Sequence, residues 1–216
     1  MYLNRGLPKP LRYKFDKVFQ QNLFHGLTSK SGTGSSIEQT HEISRQLPNL
    51  ISNLNIQSIL DIPCGDLEWM SKVELDGTKY LGSDVAPSLI AHLQMQFSEK
   101  NFSVLDISKD SLPTVDLIFC RDLFVHLSNQ DIRFALRNIK KSKSTYLATT
   151  TFVDRESNKN LPFFSKGIAW RPINLEIAPF NFPKPKLLIN EKCTEANGKF
   201  SDKTVGVWLI KSLPDY

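Results

Sequence analysis

Three carboxylates close successive apolar runs in the first half of the chain. Asp61 ends Ser58-Ile59-Leu60, Asp84 ends Tyr80-Leu81-Gly82-Ser83, and Asp106 ends Phe102-Ser103-Val104-Leu105. In an open α/β sheet, ligands bind at the carboxyl ends of the strands, so acids placed there can hold the polar edges of a nucleoside. Asp84 follows Asp61 by 23 positions, the spacing at which an acid meets ribose hydroxyls, and Val85 beside it joins the same set. Asp106 is placed to accept from the exocyclic amine of adenine, with Ile107 against the ring. A fourth stretch, Cys120-Arg121-Asp122-Leu-Phe-Val-His126, follows another apolar run. An imidazole titrates near pH 6.5, which suits a general base at neutral pH, so His126 is a candidate for that role. Asp122 either orients His126 or is itself the base. Arg121 either bonds to a cofactor or forms a surface ion pair.

The turn after Asp61 discriminates between ligands. A dinucleotide site uses Gly-x-Gly-x-x-Gly so that backbone can approach a pyrophosphate. Here Asp61-Ile-Pro-Cys64-Gly65-Asp66, with Trp69 behind it, holds one glycine and two acids. Acids repel a pyrophosphate and attract an ammonium or a sulfonium. S-adenosylmethionine carries both cations, an adenosine and no phosphate.

These residues need a sheet to hold them. Strands are expected at Ser58–Ile62, Lys79–Asp84, Phe102–Leu105, Val115–Cys120 and Thr145–Thr150, with helices over 67–73, from Pro87 to Phe97 and over 129–141. Continuous apolar strands alternating with helices mean a mostly parallel sheet covered on both faces. Upstream, Leu11, Phe15, Val18, Phe19 and Phe24 predict a helix packed by one side on the body. Residues 28–36, Thr-Ser-Lys-Ser-Gly-Thr-Gly-Ser-Ser, read either as a linker or as a lid over a ligand. Ser36 and Gln39 form a capping pair for a helix that runs to Leu54 through Pro48. Residues 153–185 break the alternation with five prolines, yet carry Phe163, Phe164, Trp170, Phe180 and Phe182. A loop so long and so aromatic reads either as a built acceptor pocket or as packing anchored by Trp170. Two last strands, 186–190 and 204–211, flank an Asn197-Gly198 turn.

The 216 residues suffice for one domain with a real core. A net charge of +5 is mild, and neither basic cluster (Arg5 to Lys17; Lys140, Lys141 and Lys143) is interleaved with aromatics as a nucleic-acid groove would be. Three cysteines without Cys-x-x-Cys argue against a disulfide framework or a zinc site and for a reducing, cytoplasmic compartment. No run reaches the ~18 apolar residues of a membrane span. The start lacks the apolar core of a signal peptide. The late loops offer only Asp154, Glu156 and Glu176, so no metal is expected.

The set of Leu60–Asp66 with Trp69, Gly82-Ser83-Asp84, Asp106-Ile107 and Asp116–Leu127 resembles the four motifs of class I S-adenosylmethionine-dependent methyltransferases, over roughly residues 35–211. The resemblance implies one methyltransferase domain over 1–216: a Rossmann-like, seven-stranded, mostly parallel sheet with helices on both faces and its last strand antiparallel. Residues 1–36 would then be an N-terminal helix and lid, and 153–185 the acceptor loop. It implies cofactor contacts from Asp61, Cys64, Gly65, Asp66, Trp69, Asp84, Val85, Asp106, Ile107 and Arg121. The Asp-x-Pro-Cys-Gly-Asp-x-x-Trp, Cys-Arg-Asp-x-x-x-His and Trp170-Arg171-Pro172-x-Asn174-Leu forms are similar to methyltransferases of glycan clusters, some fused to glycosyltransferases. The expected acceptor is thus a sugar hydroxyl, with a deoxysugar such as rhamnose among the candidates, held by Trp170, Arg171, Asn174 and Thr151. The other readings are an RNA or protein methyltransferase, a nucleotide-binding oxidoreductase, and a non-catalytic cofactor-binding module.

Overall fold

The computed structural model describes residues 11–75, 77–161 and 169–216. Arg5 and Lys9 of the first basic cluster, and Phe163 and Phe164 of the long loop, lie outside the described residues.

Seven strands form one sheet in the order β3-β2-β1-β4-β5-β7-β6: β1 Ser58–Asp61, β2 Lys79–Asp84, β3 Asn101–Val104, β4 Leu117–Cys120, β5 Tyr146–Phe152, β6 Leu187–Asn190 and β7 Lys203–Leu209. β1 to β5 pair in parallel, while β7 runs antiparallel to both β5 and β6. Neighbouring strand residues point to opposite faces, and both faces are apolar. Leu60, Ile118 and Leu147 pack against Ile132, Leu136 and Ile139 of α4 (Asn129–Lys141). Ile59, Leu117 and Phe119 on the other face pack against Ile43, Leu47 and Leu50 of α2 (Ile37–Asn53) and Leu89, Ile90 and Leu93 of α3 (Pro87–Gln96). That double cover is why these strands read as continuous apolar runs.

The capping pair forms: Ser36 Oγ accepts from the Gln39 N–H, and α2 continues unbroken through Pro48. The helix expected over 67–73 is only a single 3₁₀ turn, Met70–Lys72. Leu67 sits at φ +60, a left-handed conformation that prevents an α-helix from starting there. α1 (Leu11–Gln21) lies outside the sheet layers and packs on α3, where Asp16 Oδ1 accepts from both the N–H and the hydroxyl of Ser88 (2.9 and 2.6 Å). No helix among the described residues is long and apolar enough to cross a membrane, and none of the three cysteines is in a disulfide.

Candidate active site

The carboxyl ends of β1, β2 and β4 open onto a cavity of about 370 Å³. α1 roofs it with Phe15, Val18 and Phe19, and residues 30–35 close a second side. Asp61, Cys64, Gly65, Trp69, Asp84, Val85, Arg121, Asp122, His126 and Trp170 are brought together on its wall.

The turn after β1 has two jobs. Asp61, where the turn begins, faces the cavity beside Asp84 at the end of β2. Burial pushes Asp61 up to about 7 even though the Tyr80 hydroxyl donates to its Oδ2 at 2.6 Å. Burial likewise pushes Asp84 up to about 6, against the Ala86 N–H donated to its Oδ1 at 3.0 Å. A desolvated acid that resists ionising is stabilised as the carboxylate by a cation against it or by hydroxyls that donate to it. The turn's outer carboxylate, Asp66, instead holds the loop: Ser29 Oγ and the Lys30 N–H donate to its two oxygens (2.9 and 2.6 Å), and the Asp66 N–H donates to Ser31 Oγ at 3.0 Å. Asp66 is absent from the cavity wall, which corrects the expectation that it faces the cofactor. Gly65 makes the closure possible. It sits at φ +57, and a Cβ there would lie 2.5 Å from Ser31 Oγ. The stretch 28–36 is held against the turn after β1 by these bonds, with residues 30–35 on the cavity wall.

A pH dependence follows. Proton binding at Asp61 and Asp84 is tighter in the folded chain than in the unfolded one, so their contribution to the stability of the empty protein falls as pH rises from about 4 to about 7. Ligand binding runs the other way, because the carboxylates must ionise to meet a cation. A cationic adenosyl ligand is therefore expected to bind progressively more weakly as pH drops below 7, with proton release on binding at pH 6–7 visible by calorimetry in buffers of different ionisation enthalpy. Tighter binding at pH 5.5 than at pH 8 overturns this assignment.

The end of β4 carries a buried ionic group. Arg121 Nε donates to Glu191 Oε1 at 2.5 Å, its Nη1 lies 3.1 Å from Asp122 Oδ2, and its Nη2 donates to the Gly34 carbonyl at 2.9 Å. Lys203 Nζ reaches Asp122 Oδ2 at 2.6 Å and Glu191 Oε2 at 3.4 Å. Burial alone would raise the Asp122 pKa, but Arg121 and Lys203 outweigh it and hold the carboxyl at about 2. Such a carboxylate is ionised throughout the neutral range and is a weak base. His126 differs. Burial lowers its pKa below the ordinary imidazole value, against the pull of the Ala169 carbonyl and Asp122. Its Nδ1 lies 2.8 Å from the Ala169 carbonyl oxygen, an acceptor only, which fixes the proton on Nδ1 and leaves a lone pair on Nε2. The rings of Phe15 and Phe24 pack on the imidazole at 6.4 and 5.3 Å between centroids.

Several expected contacts lie elsewhere. Arg171 is buried with its N–H groups spent on the chain: Nε on the Lys159 carbonyl (2.6 Å), Nη1 on the Phe124 and Val125 carbonyls (3.2 Å each) and Nη2 on Asn129 Oδ1 (2.9 Å). Asn174 donates to the Val153 and Arg155 carbonyls and accepts from the Glu176 N–H. Thr151 accepts from the Leu175 N–H. None of these three lines the cavity, so the expectation that they touch an acceptor is corrected. An irregular loop has no ladder for its backbone groups, and these side chains supply the partners. Asp106 and Ile107 line a small pocket beside the main one, and the two share Phe15, Pro63, Val85 and Leu123. Asp106 Oδ1 accepts from the N–H and hydroxyl of Ser108 (3.0 and 2.6 Å). Trp170 does line the main cavity, 40% exposed, edge-on to Phe152 and Phe200. Sequence reasoning missed Phe200, Glu191 and Lys203. For Glu191 the available signal was the one used for Asp61, a charge just past the end of a strand, whereas Lys203 begins β7 and Phe200 precedes it. Among the described residues no group of three or more His, Cys, Asp or Glu side chains could hold a metal ion.

Residues 60–143 match a family model described as a methyltransferase domain. Among solved structures, the PH0226 protein from Pyrococcus horikoshii OT3 is similar in fold, with a TM-score of 0.56 and 18% identity over 82% of this chain and 93% of that one. The N-methyltransferase NodS from Bradyrhizobium japonicum WM9, in complex with S-adenosyl-L-homocysteine, gives a TM-score of 0.51 and 16% identity over 64% of this chain and 74% of that one. No curated protein matches the chain.

Proposed function

We propose that this chain, with its seven-stranded sheet and a match to a methyltransferase-domain model over residues 60–143, is an S-adenosylmethionine-dependent methyltransferase that methylates a hydroxyl group of a sugar or glycan. The cofactor supplies a methyl group on a sulfonium. Asp84 would hold its ribose, Asp61 would meet its positive end, and Val85 with Ile107 would flank its base. The acids in a cavity wall without a pyrophosphate cradle support that assignment.

One observation carries the acceptor chemistry: a part-buried His126 whose Nδ1 is committed to the Ala169 carbonyl and whose cavity neighbours include Trp170. A hydroxyl must lose its proton as it attacks carbon, and Nε2 is an acceptor suited to take it. The Trp170 and Phe200 rings, backed by the buried Phe152, supply apolar faces on which the C–H bonds of a sugar ring can lie. A deoxysugar, with a methyl group in place of one hydroxymethyl, suits such a wall. The test is a methyl-transfer screen against free and glycosidic sugars, read as a gain of one methylene in mass. Transfer to at least one sugar hydroxyl is expected. Transfer only to an RNA or a protein, or to amines alone, overturns the reading.

A further inference from the structure

Lys203 is the first residue of β7 and pairs with Phe152, the last residue of β5. Because β7 runs against its neighbours, its beginning lies at the carboxyl ends of the parallel strands, where the cavity is. The Lys203 side chain is 5% exposed, and it lines the cavity with Asp122, His126, Trp170 and Phe200. An ammonium has three N–H groups. Lys203 donates to Asp122 Oδ2 at 2.6 Å, while Glu191 Oε2, 3.4 Å from Nζ, receives no hydrogen bond, so the ammonium retains donor capacity at the cavity wall it lines. Gly34 of the loop lies beside the ammonium: a Cβ there would stand in van der Waals contact with Nζ at 3.6 Å and with Asp122 Oδ2 and Glu195 Oε2 at 3.5 Å each.

We propose that Lys203 is a further catalytic residue, whose ammonium donates to the acceptor oxygen while that oxygen passes its proton to His126. This rests on the hydroxyl-acceptor reading above. In the step, the O–H bond breaks and its proton goes to Nε2 of His126. The oxygen's electron pair forms the bond to the methyl carbon, and the C–S pair returns to sulfur, leaving a thioether. Lys203 keeps its own proton throughout and offsets the negative charge that develops on oxygen. Two carboxylates against Arg121 hold it protonated, raising its pKa although burial opposes that. The charged groups acting on His126 are Asp122, Lys203 and Arg171, and those acting on Lys203 are Arg121, Asp122 and Glu191, with the Glu195 carboxylate across Gly34. Lys203 is therefore also one of the charges that keeps the imidazole neutral.

Two readouts test the role. In Lys203→Met, kcat for the best sugar acceptor of the screen should fall at least ~10²-fold with S-adenosylmethionine affinity unchanged by calorimetry, and Lys203→Arg should recover part of the loss. The double variant Lys203→Met/Glu191→Gln keeps Arg121 balanced by Asp122 and covers the case in which the single variant does not fold. Independently of any acceptor, His126 ring resonances followed by NMR with S-adenosylhomocysteine bound should titrate at higher pH in either variant than in the wild type. Wild-type kcat in either variant, or an unmoved His126 titration, overturns the proposal. Wild-type transfer to amines but to no hydroxyl overturns the reading beneath it, and does so before any variant is made.

Discussion

Alanine in place of His126 lowers methyl transfer at least ~10²-fold and leaves cofactor affinity where it was. The loss falls on kcat, because the imidazole is committed to the acceptor's proton and not to holding the adenosyl ligand. The pH profile gives a second signature. His126 is held below its ordinary pKa by burial, so the acid limb of kcat lies below pH 6.5 and disappears in the variant. The same depression makes the unfolded chain bind a proton more readily, so stability from this group is present above about pH 6.5 and lost as pH falls further. Full activity in His126→Ala, with a retained acid limb, would return the base to Asp122. The geometry weighs against that outcome: a carboxyl at about 2, paired with Lys203 at 2.6 Å, gives a proton acceptor too weak for an alcohol.

Glu191→Ala is expected to be the most destabilising single change in the site. Its side chain is fully buried, with Arg121 at 2.5 Å and Lys203 at 3.4 Å. Removing it leaves two buried cations against Asp122 alone. Breaking a buried pair in this way costs about 3–5 kcal/mol, because the orphaned charge keeps its desolvation penalty. Urea titration measures the loss as a fall in the midpoint at constant slope. The Lys203→Met/Glu191→Gln double variant should be more stable than the sum of its single changes predicts, since it removes one charge of each sign. Additive losses, or a change under 1 kcal/mol in Glu191→Ala, would mean that the four groups are not a coupled unit.

The sheet was legible because its signals are local. Runs such as Leu117–Cys120 are buried on both sides, and that burial is written as continuous hydrophobicity. Asp61 and Asp84 were legible because a parallel strand ends where ligands bind. Lys203 escaped the same logic because it begins a strand. Only the antiparallel sense of β7 brings it to the cavity, and that sense was expected without being followed to its consequence. Arg171, Asn174 and Thr151 show the opposite error. Polar residues in an irregular aromatic loop look like ligand contacts, but backbone carbonyls at Phe124, Val125, Val153 and Arg155 need donors, and the loop meets that demand first. Asp66 is a third case. Its type and place were read correctly as an acid in the cofactor turn, yet its partners are the hydroxyl of Ser29 and the N–H of Lys30 across 37 and 36 positions of sequence. Spacing along the chain carries no trace of such contacts.

The clasp between Asp66 and residues 29–31 ties the cavity's enclosure to the residence time of whatever lies inside. A ligand that leaves past residues 29–34 has to part the Ser29, Lys30 and Ser31 bonds together with the Arg121 bond to Gly34. Each such bond is worth about 0.5–1.5 kcal/mol net, and their joint rupture slows departure without touching the chemical step. Weakening the clasp, at Asp66 rather than at the base, is therefore the way to change how long the enzyme waits between turnovers.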